Sequence, residues 1–202
     1  MRNKKSYIER DFEEMFKGNN TEHLILMMRE KLAKMMAENS NSSRKKMAHL
    51  RGQILPAIAV FKTLCSVMSE DDAFDILRGY IFDHARNARR VYDKLMKIPR
   101  AYRLMPFAFS KVMKMSFNEE AGFARKDIML SGGVWRVDMT KCPYNDVLKS
   151  YDCGRLCTLF CEKDDICNSN LHPKLVWRRT KTLGNGDDCC DFCLKISSRK
   201  EV

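Results

Sequence analysis

Near residue 125 the spacing of apolar residues changes, and that change limits the chain to a mixed architecture. Before it, apolar residues recur every three or four positions; after it, they alternate with polar ones. A first short helix is expected from Tyr7 to Lys17, ending near Gly18-Asn19-Asn20. Thr21 is a candidate cap for a second, Glu22 to Ala37, with Leu24, Met28, Leu32 and Met35 on its apolar stripe. Arg44 to Met68 carries Leu50, Ile54, Ile58, Phe61, Cys65 and Met68 on one stripe, and Pro56 inside it should kink the helix. Glu70-Asp71-Asp72 suit a helix start after Ser69, and helical spacing then runs from Phe74 through Leu77, Ile81 and Tyr92 to Met96. A further helix is expected from Tyr102 to Phe117.

Beyond the change, Ile128-Met-Leu, Gly132-Gly133 and Val134 to Thr140 read as strand, turn and strand. Cys142-Pro143 ends the second strand, because proline cannot continue a ladder. Tyr144 to Tyr151 and Arg155 to Cys167 are two short helical stretches. Leu175 to Ile196 reads as a β-hairpin around Gly184-Asn185-Gly186-Asp187, residues that tolerate positive φ. Alternation would put Trp177, Arg179, Lys181 and Leu183 on one face of its first strand. On its second strand Cys190, Phe192, Leu194 and Ile196 share a face, with Asp191 opposite. The expected fold is α+β: a helical region, residues 1–124, packed on a cysteine-rich antiparallel sheet with short inserted helices, residues 125–202, as one compact domain.

Of nine cysteines, eight fall after residue 141. The basic start Met1-Arg-Asn-Lys-Lys-Ser is followed by no apolar run, so the expectation is a cytoplasmic protein with reduced thiols rather than a disulfide framework. The most apolar stretch, Ile54 to Met68, is too short for a bilayer and carries Lys62, so no membrane role is expected. Net charge is +11, with 24 Lys+Arg against 15 Asp+Glu in residues 1–125 and 13 against 11 in the rest. These charges interleave at helical spacing, which argues for solubility and weak steering of an anionic small molecule rather than for nucleic acid. A homo-oligomer is left open.

Two chemistries fit the thiols. Cys153, Cys157 and Cys161 are spaced by four and would stack on a helix, and Cys190-x-x-Cys193 gives one metal-type pair. A second such pair is missing, so no cofactor is certain and a divalent metal such as zinc stays a candidate. Alternatively, a thiolate acts as nucleophile. Cys142 stands at a strand end before a helix, a position that lowers a thiol pKa, whereas Cys161 has Glu162, Asp164 and Asp165 beside it, which would raise one. His23 and His49 read as surface residues, His84 as packed and His172 as a loop residue, so proton transfer should fall to carboxylates.

Four motifs occur in order: Asp138-Met-Thr-Lys-Cys-Pro-Tyr144, Leu159-Phe-Cys-Glu-Lys-Asp-Asp165, His172-Pro-x-Leu-x-Trp-x-Arg-Thr-x-Thr-Leu183 and Gly186-Asp-Asp-x-Cys-Asp-Phe192. Together with His49-Leu-Arg-Gly-Gln-Ile-Leu-Pro-Ala-Ile-Ala-Val-Phe-Lys62, this chain resembles the L-2-amino-thiazoline-4-carboxylic acid hydrolase family over residues 45–196. The resemblance implies a hydrolase that opens a cyclic amidine, as the namesake converts the thiazoline to N-carbamoyl-cysteine in bacterial cysteine formation. It implies Cys142, Cys161, Cys190, Asp191 and Asp187 as catalytic groups and Arg179, Thr180, Tyr144 and Asp165 as substrate-binding groups. Cys153, Cys157, Cys167, Cys189 and Cys193 depart from the pattern. The alternative is a non-catalytic cysteine-rich module that binds metal or senses oxidation.

Overall fold

The structure, a computed structural model, describes residues 5–18 and 21–197. Asn19-Asn20, expected to end the first helix, and Met1 to Lys4 lie outside the described residues. Helix α1 (Tyr7–Met15) opens with a capping box: Ser6 Oγ accepts from the Glu9 amide, and the Glu9 carboxylate accepts from the Ser6 amide. It buries Tyr7, Ile8 and Phe12. Helix α2 (Glu22–Glu38) buries Leu24, Met28 and Met35. Thr21 does not cap it; its hydroxyl turns back to the Phe16 carbonyl at 2.9 Å.

The kinked helix expected from Arg44 to Met68 is three pieces. Helix α3 (Arg44–His49) runs into a π-helical turn (Leu50–Ile54) and then α4 (Leu55–Leu64). Pro56 lacks an N–H and its ring crowds the carbonyl four residues back. The wider turn relieves this, with the Leu55 amide bonded to the Leu50 carbonyl five residues back. Helix α4 is buried almost all round, from Leu55 to Phe61. Cys65, expected on its apolar stripe, lies just past the helix end and is exposed.

Ser69 caps α5 (Glu70–Met96), accepting from the Asp72 amide, with Glu70, Asp71 and Asp72 in the first turn where the helix dipole favours them. Helix α6 (Met105–Ser116) starts three residues later than expected, behind a 3-10 turn at Ala101–Leu104. The sheet follows: β1 (Ala124–Ser131), β2 (Val134–Lys141), β3 (Leu175–Arg178) and β4 (Cys190–Ile196) in the order β1-β2-β4-β3, every pair antiparallel. Gly132 and Gly133 turn between β1 and β2 at φ 58° and 78°, which glycine adopts at no steric cost. Trp135, Val137 and Met139 are the buried face of β2, as their alternation predicts. Helices α7 (Pro143–Ser150) and α8 (Cys157–Asn168) lie between β2 and β3. The core runs without a break from Ile8 to Leu194, and Phe109 of α6 packs on Trp135 and Trp177 of the sheet at 5.5 and 5.9 Å.

The hairpin departs from its expected form. Strands β3 and β4 pair, with Trp177 opposite Leu194, but β3 stops at Arg178 and residues 179–189 form a loop. Within it Leu183–Asn185 make a 3-10 turn that ends at Gly186, φ 94°. The reason is local competition for backbone amides. Asp191 Oδ1 takes the amides of Thr180 and Lys181 at 2.7 and 2.6 Å, and Asp187 Oδ2 takes that of Thr182 at 2.7 Å. Those donors cannot then pair with β4, so Arg179, Lys181 and Leu183 do not share a strand face.

Candidate active site

Helix geometry places Cys157, Cys161 and Asp164 on one face of α8, since residues three and four apart are stacked neighbours. Cys153 is not in this stack. It stands ahead of the 3-10 turn before α8, where its thiol donates to the Tyr151 carbonyl at 3.3 Å. The 179–189 loop lies across the stack. Thr182 Oγ1 donates to Cys161 Sγ at 3.0 Å. Gly184 sits so close that a Cβ there would come within 3.2 Å of Cys161 Sγ and 3.3 Å of Cys157 Sγ. Cys190, the first residue of β4, points inward to the same place. Its sulfur accepts from the Leu183 amide at 3.3 Å, and its thiol donates to Thr182 Oγ1 at 3.6 Å.

Arg179 closes the far side. Its side chain is only 7% exposed. Nη2 donates to the Cys161 carbonyl at 3.0 Å and forms an ion pair with Asp165. Asp165 is held in turn by Trp177 Nε1 at 2.8 Å. Arg179 Nη1 is buried with no hydrogen-bond partner. An unmet donor on a buried cation is expensive, about 1–3 kcal/mol or more, and it marks where an anion would sit.

The electrostatics single out one sulfur. The Cys157 thiol donates to Cys161, and with the Thr182 hydroxyl and the Arg179 guanidinium it holds Cys161 below the usual thiol range, against the opposing effect of burial. Cys157 is pushed up by giving its proton to that bond and by burial. Cys142, which precedes α7, is pushed up to about 12 by burial, although the Asn145 and Tyr144 amides pull the other way. The two sequence expectations are therefore exchanged in direction: Cys161 is drawn below the usual thiol range and Cys142 is pushed above it. The acids beside Cys161 do not raise its pKa enough to prevent this. Asp165 is spent on Arg179, and Asp164 is itself pushed up to about 7 by burial, with Lys163 and Arg179 opposing. Among the described residues the Asp164 carboxyl makes no side-chain hydrogen bond or ion pair.

The other expected site residues divide by face. Tyr144 is buried, its hydroxyl 3.3 Å from His49 Nδ1, while His49 Nε2 lies 2.9 Å from the Ser116 carbonyl. His49, expected on the surface, thus ties α3 to α7 and α6, and burial holds it below the usual imidazole range. Asp191 lies on the opposite face of β4 from Cys190, where its carboxylate also takes the Thr180 hydroxyl at 2.7 Å. Asp187 bonds within the loop. The structure therefore gathers Cys161, Cys190, Thr182, Arg179 and Asp165 directly, with Cys142 near enough to feel both other sulfurs, and leaves Asp187, Asp191 and Thr180 in the loop's own bonding. Among the described residues no three His, Cys, Asp or Glu side chains are arranged to hold a metal ion. Two surface cavities, about 380 Å³ beside Asn39 and Lys46 and about 130 Å³ between α6 and β1, lie away from the thiols.

A family model described as L-2-amino-thiazoline-4-carboxylic acid hydrolase matches residues 47–194. The chain belongs to this family. No curated protein matches it beyond chance. The thiazoline hydrolase family assignment makes the chain a member of a group named for hydrolysis of a thiazoline ring, with a small molecule as substrate. The matched segment begins within α3 and contains all nine cysteines, Arg179 and Asp164, but neither α1 nor α2. Among the described residues no helix of this thiazoline hydrolase family member is long and apolar enough to cross a membrane.

Sequence reasoning missed Asp164, Thr182 and His49 as site residues. Asp164 was within reach, because it lies three residues after Cys161 and so on the same helix face. Thr182 stands in the third motif but carried no spacing signal, since its place depends on how the loop folds back.

Proposed function

We propose that this protein opens 2-amino-thiazoline-4-carboxylate to N-carbamoyl-cysteine, with Cys161 as nucleophile. The observation that carries this reading is the buried Arg179 with an unmet N–H beside a sulfur held as thiolate. A ring bearing a carboxylate, with its electrophilic carbon a few bonds away, fits that pair: Arg179 Nη1 takes the carboxylate and Cys161 faces the amidine carbon.

Cys161 Sγ bonds to the ring carbon C2, and the C=N pair moves to the ring nitrogen, which takes the proton of Asp164. The C2–S bond of the ring then breaks, leaving a thiolate on the opened substrate and an isothiouronium on Cys161. Water adds at C2 and gives one proton back to Asp164. The Cys161 sulfur leaves as thiolate, and the second water proton passes to the thiolate of the product. One water is consumed, and Cys161 and Asp164 return to their starting states.

The remaining expected residues act around this core in the same reading. Asp165 fixes the guanidinium of Arg179, Cys142 and Cys190 stay protonated as walls of the site, and Tyr144 is positioned through His49. Asp187, Asp191 and Thr180 hold the loop that carries Thr182 to Cys161. Since that loop lies over the sulfurs, substrate reaches them when it lifts. The test is turnover of 2-amino-thiazoline-4-carboxylate, followed by release of the product thiol, against 2-aminothiazoline, which lacks the carboxylate. The acid should be preferred about 10- to 100-fold, the worth of one charged hydrogen-bonded contact. Equal rates, or turnover of neither ring, would remove the support for this reading.

A further inference from the structure

Hydrolysis as described needs one thiolate, yet two sulfurs meet around one hydroxyl and a third touches one of them. The Cys190 thiol donates to Thr182 Oγ1 at 3.6 Å, and Thr182 Oγ1 donates to Cys161 Sγ at 3.0 Å. Cys157 touches Cys161 from the preceding turn of α8, and both sulfurs rest against Gly184. A thiolate next to spare thiols is the arrangement in which an oxidised sulfur is captured before it is over-oxidised. Nothing in the hydrolytic steps uses Cys190 as a reactant.

We propose that this cluster is a reversible oxidation site at which a hydroperoxide converts Cys161 to a sulfenic acid and Cys190 closes it as a disulfide, silencing the enzyme. The inference takes from the proposed function that Cys161 is the reactive sulfur. Cys157 is the nearer neighbour in sequence but the poorer partner. On a regular helix residues four apart hold their Cβ atoms about 5–6 Å apart, whereas a disulfide needs about 3.8 Å. Closing Cys157 on Cys161 would unwind α8. Cys190 lies at the very start of β4, next to the 179–189 loop, and the Thr182 hydroxyl of that loop bridges the two sulfurs. In chemical terms the Cys161 thiolate attacks the O–O bond of hydrogen peroxide, an S–O bond forms, and hydroxide leaves and is protonated to water. Sulfur is oxidised by two electrons and the peroxide is reduced. The Cys190 sulfur then attacks Cys161, the S–S bond forms, and the sulfenic hydroxyl departs with the Cys190 proton as a second water. The new bond removes the nucleophile and displaces the Thr182 hydroxyl that steadied it.

The experiment treats the full chain with hydrogen peroxide and maps cross-linked peptides by mass without reduction. The expected product is a Cys161–Cys190 link, two hydrogens lighter than the separate peptides, that disappears with dithiothreitol. Turnover should fall in proportion to the link and return on reduction. In Cys190→Ser, or in Cys190→Ala should the serine variant not fold, the link should be absent and dimedone should instead trap the sulfenic acid on Cys161. A link between Cys157 and Cys161, or peroxide treatment that leaves Cys161 unmodified, would overturn the proposal, as would a Cys161–Cys190 link with turnover intact. Because the link is read by mass, a protein that cross-links as expected but turns over no thiazoline would refute the proposed function alone and leave the oxidation site standing.

Discussion

Cys190 and Asp191 follow one another on β4 and face opposite ways. On the inner side, Cys190 joins a group of sulfurs that rests on α8 beside the thiol whose pKa is lowered, an unmet Arg179 N–H and, among the described residues, a carboxyl without a side-chain partner. On the outer side, Asp191 accepts from two amides and a hydroxyl and has nothing left to offer a substrate. The inner groups are polar, buried or half-buried and incompletely paired; on the outer side Asp191 is half-buried and accepts three hydrogen bonds from exposed loop residues. In the proposed function, unmet bonding capacity rather than the density of reactive residue types separates chemistry from scaffold, because a group that has spent its bonds on its own loop cannot also move protons.

The two sides of β4 should differ most at Cys161. Cys161→Ala should lower kcat for the thiazoline acid by at least about 10³-fold, as losing a nucleophile does, while melting stays close to wild type. Asp164→Asn should lower kcat by about 10²–10⁴-fold, the usual worth of a positioned acid–base group. The pH profile gives an independent readout. Asp164 is needed protonated in the first step and its pKa is raised to about 7, so kcat/KM should fall as the pH rises through about 7. The acid limb should come from Cys161, whose lowered pKa places the thiolate's loss below the usual thiol range. The Asn variant should lose the basic limb and keep the acid one. Arg179→Gln should lower kcat/KM by about 10- to 100-fold for the carboxylate-bearing ring and hardly affect 2-aminothiazoline, because only the former uses Nη1.

On the outer face the expected effect is of another kind. Asp191→Asn should lower stability by about 1–2 kcal/mol through weaker bonds to Thr180 and Lys181, a shift of about 2–8 °C in Tm for a chain of this size. The rate of the folded fraction should stay near wild type. Burial works against ionisation of Asp191, but the Thr180 hydroxyl and the Lys181 and Thr180 amides hold its pKa below the carboxylate range. A depressed folded pKa means the stabilisation is present at neutral pH and is lost as the pH falls below about 4. A large rate loss in folded Asp191→Asn would move the chemistry to the outer face.

Much of this arrangement is visible in the sequence where a period governs it. The stripe of α2, the buried alternation of β2, and the inward set Cys190, Phe192 and Leu194 follow from spacing alone, because burial of one face enforces it. The family motifs also bring the right segments together. What spacing could not show is where a bond is already spent. Arg179 looks like a strand residue until Asp191 and Asp187 are seen to capture the amides that β3 would need. Cys161 looks acid-flanked until Asp165 is found on Arg179 and Cys157 is found donating to the sulfur. Cys142 holds a helix-start position that should ionise it, and burial reverses the sign. Pro56 predicts a kink, and the helix instead widens into a π turn that relieves the same clash, so the residue marks the place of the irregularity but not its form.

The central claim is that Cys161, and not another sulfur or an unassisted water, attacks the ring. It is tested most directly by mixing excess protein with 2-amino-thiazoline-4-carboxylate, quenching in acid within the first turnover, and mapping the mass of every cysteine peptide. The Cys161 peptide should transiently carry the mass of the whole ring-opened substrate and return to its original mass as N-carbamoyl-cysteine forms. Product formation with every cysteine peptide unmodified throughout, or with the transient mass on Cys142 or Cys190, would contradict it.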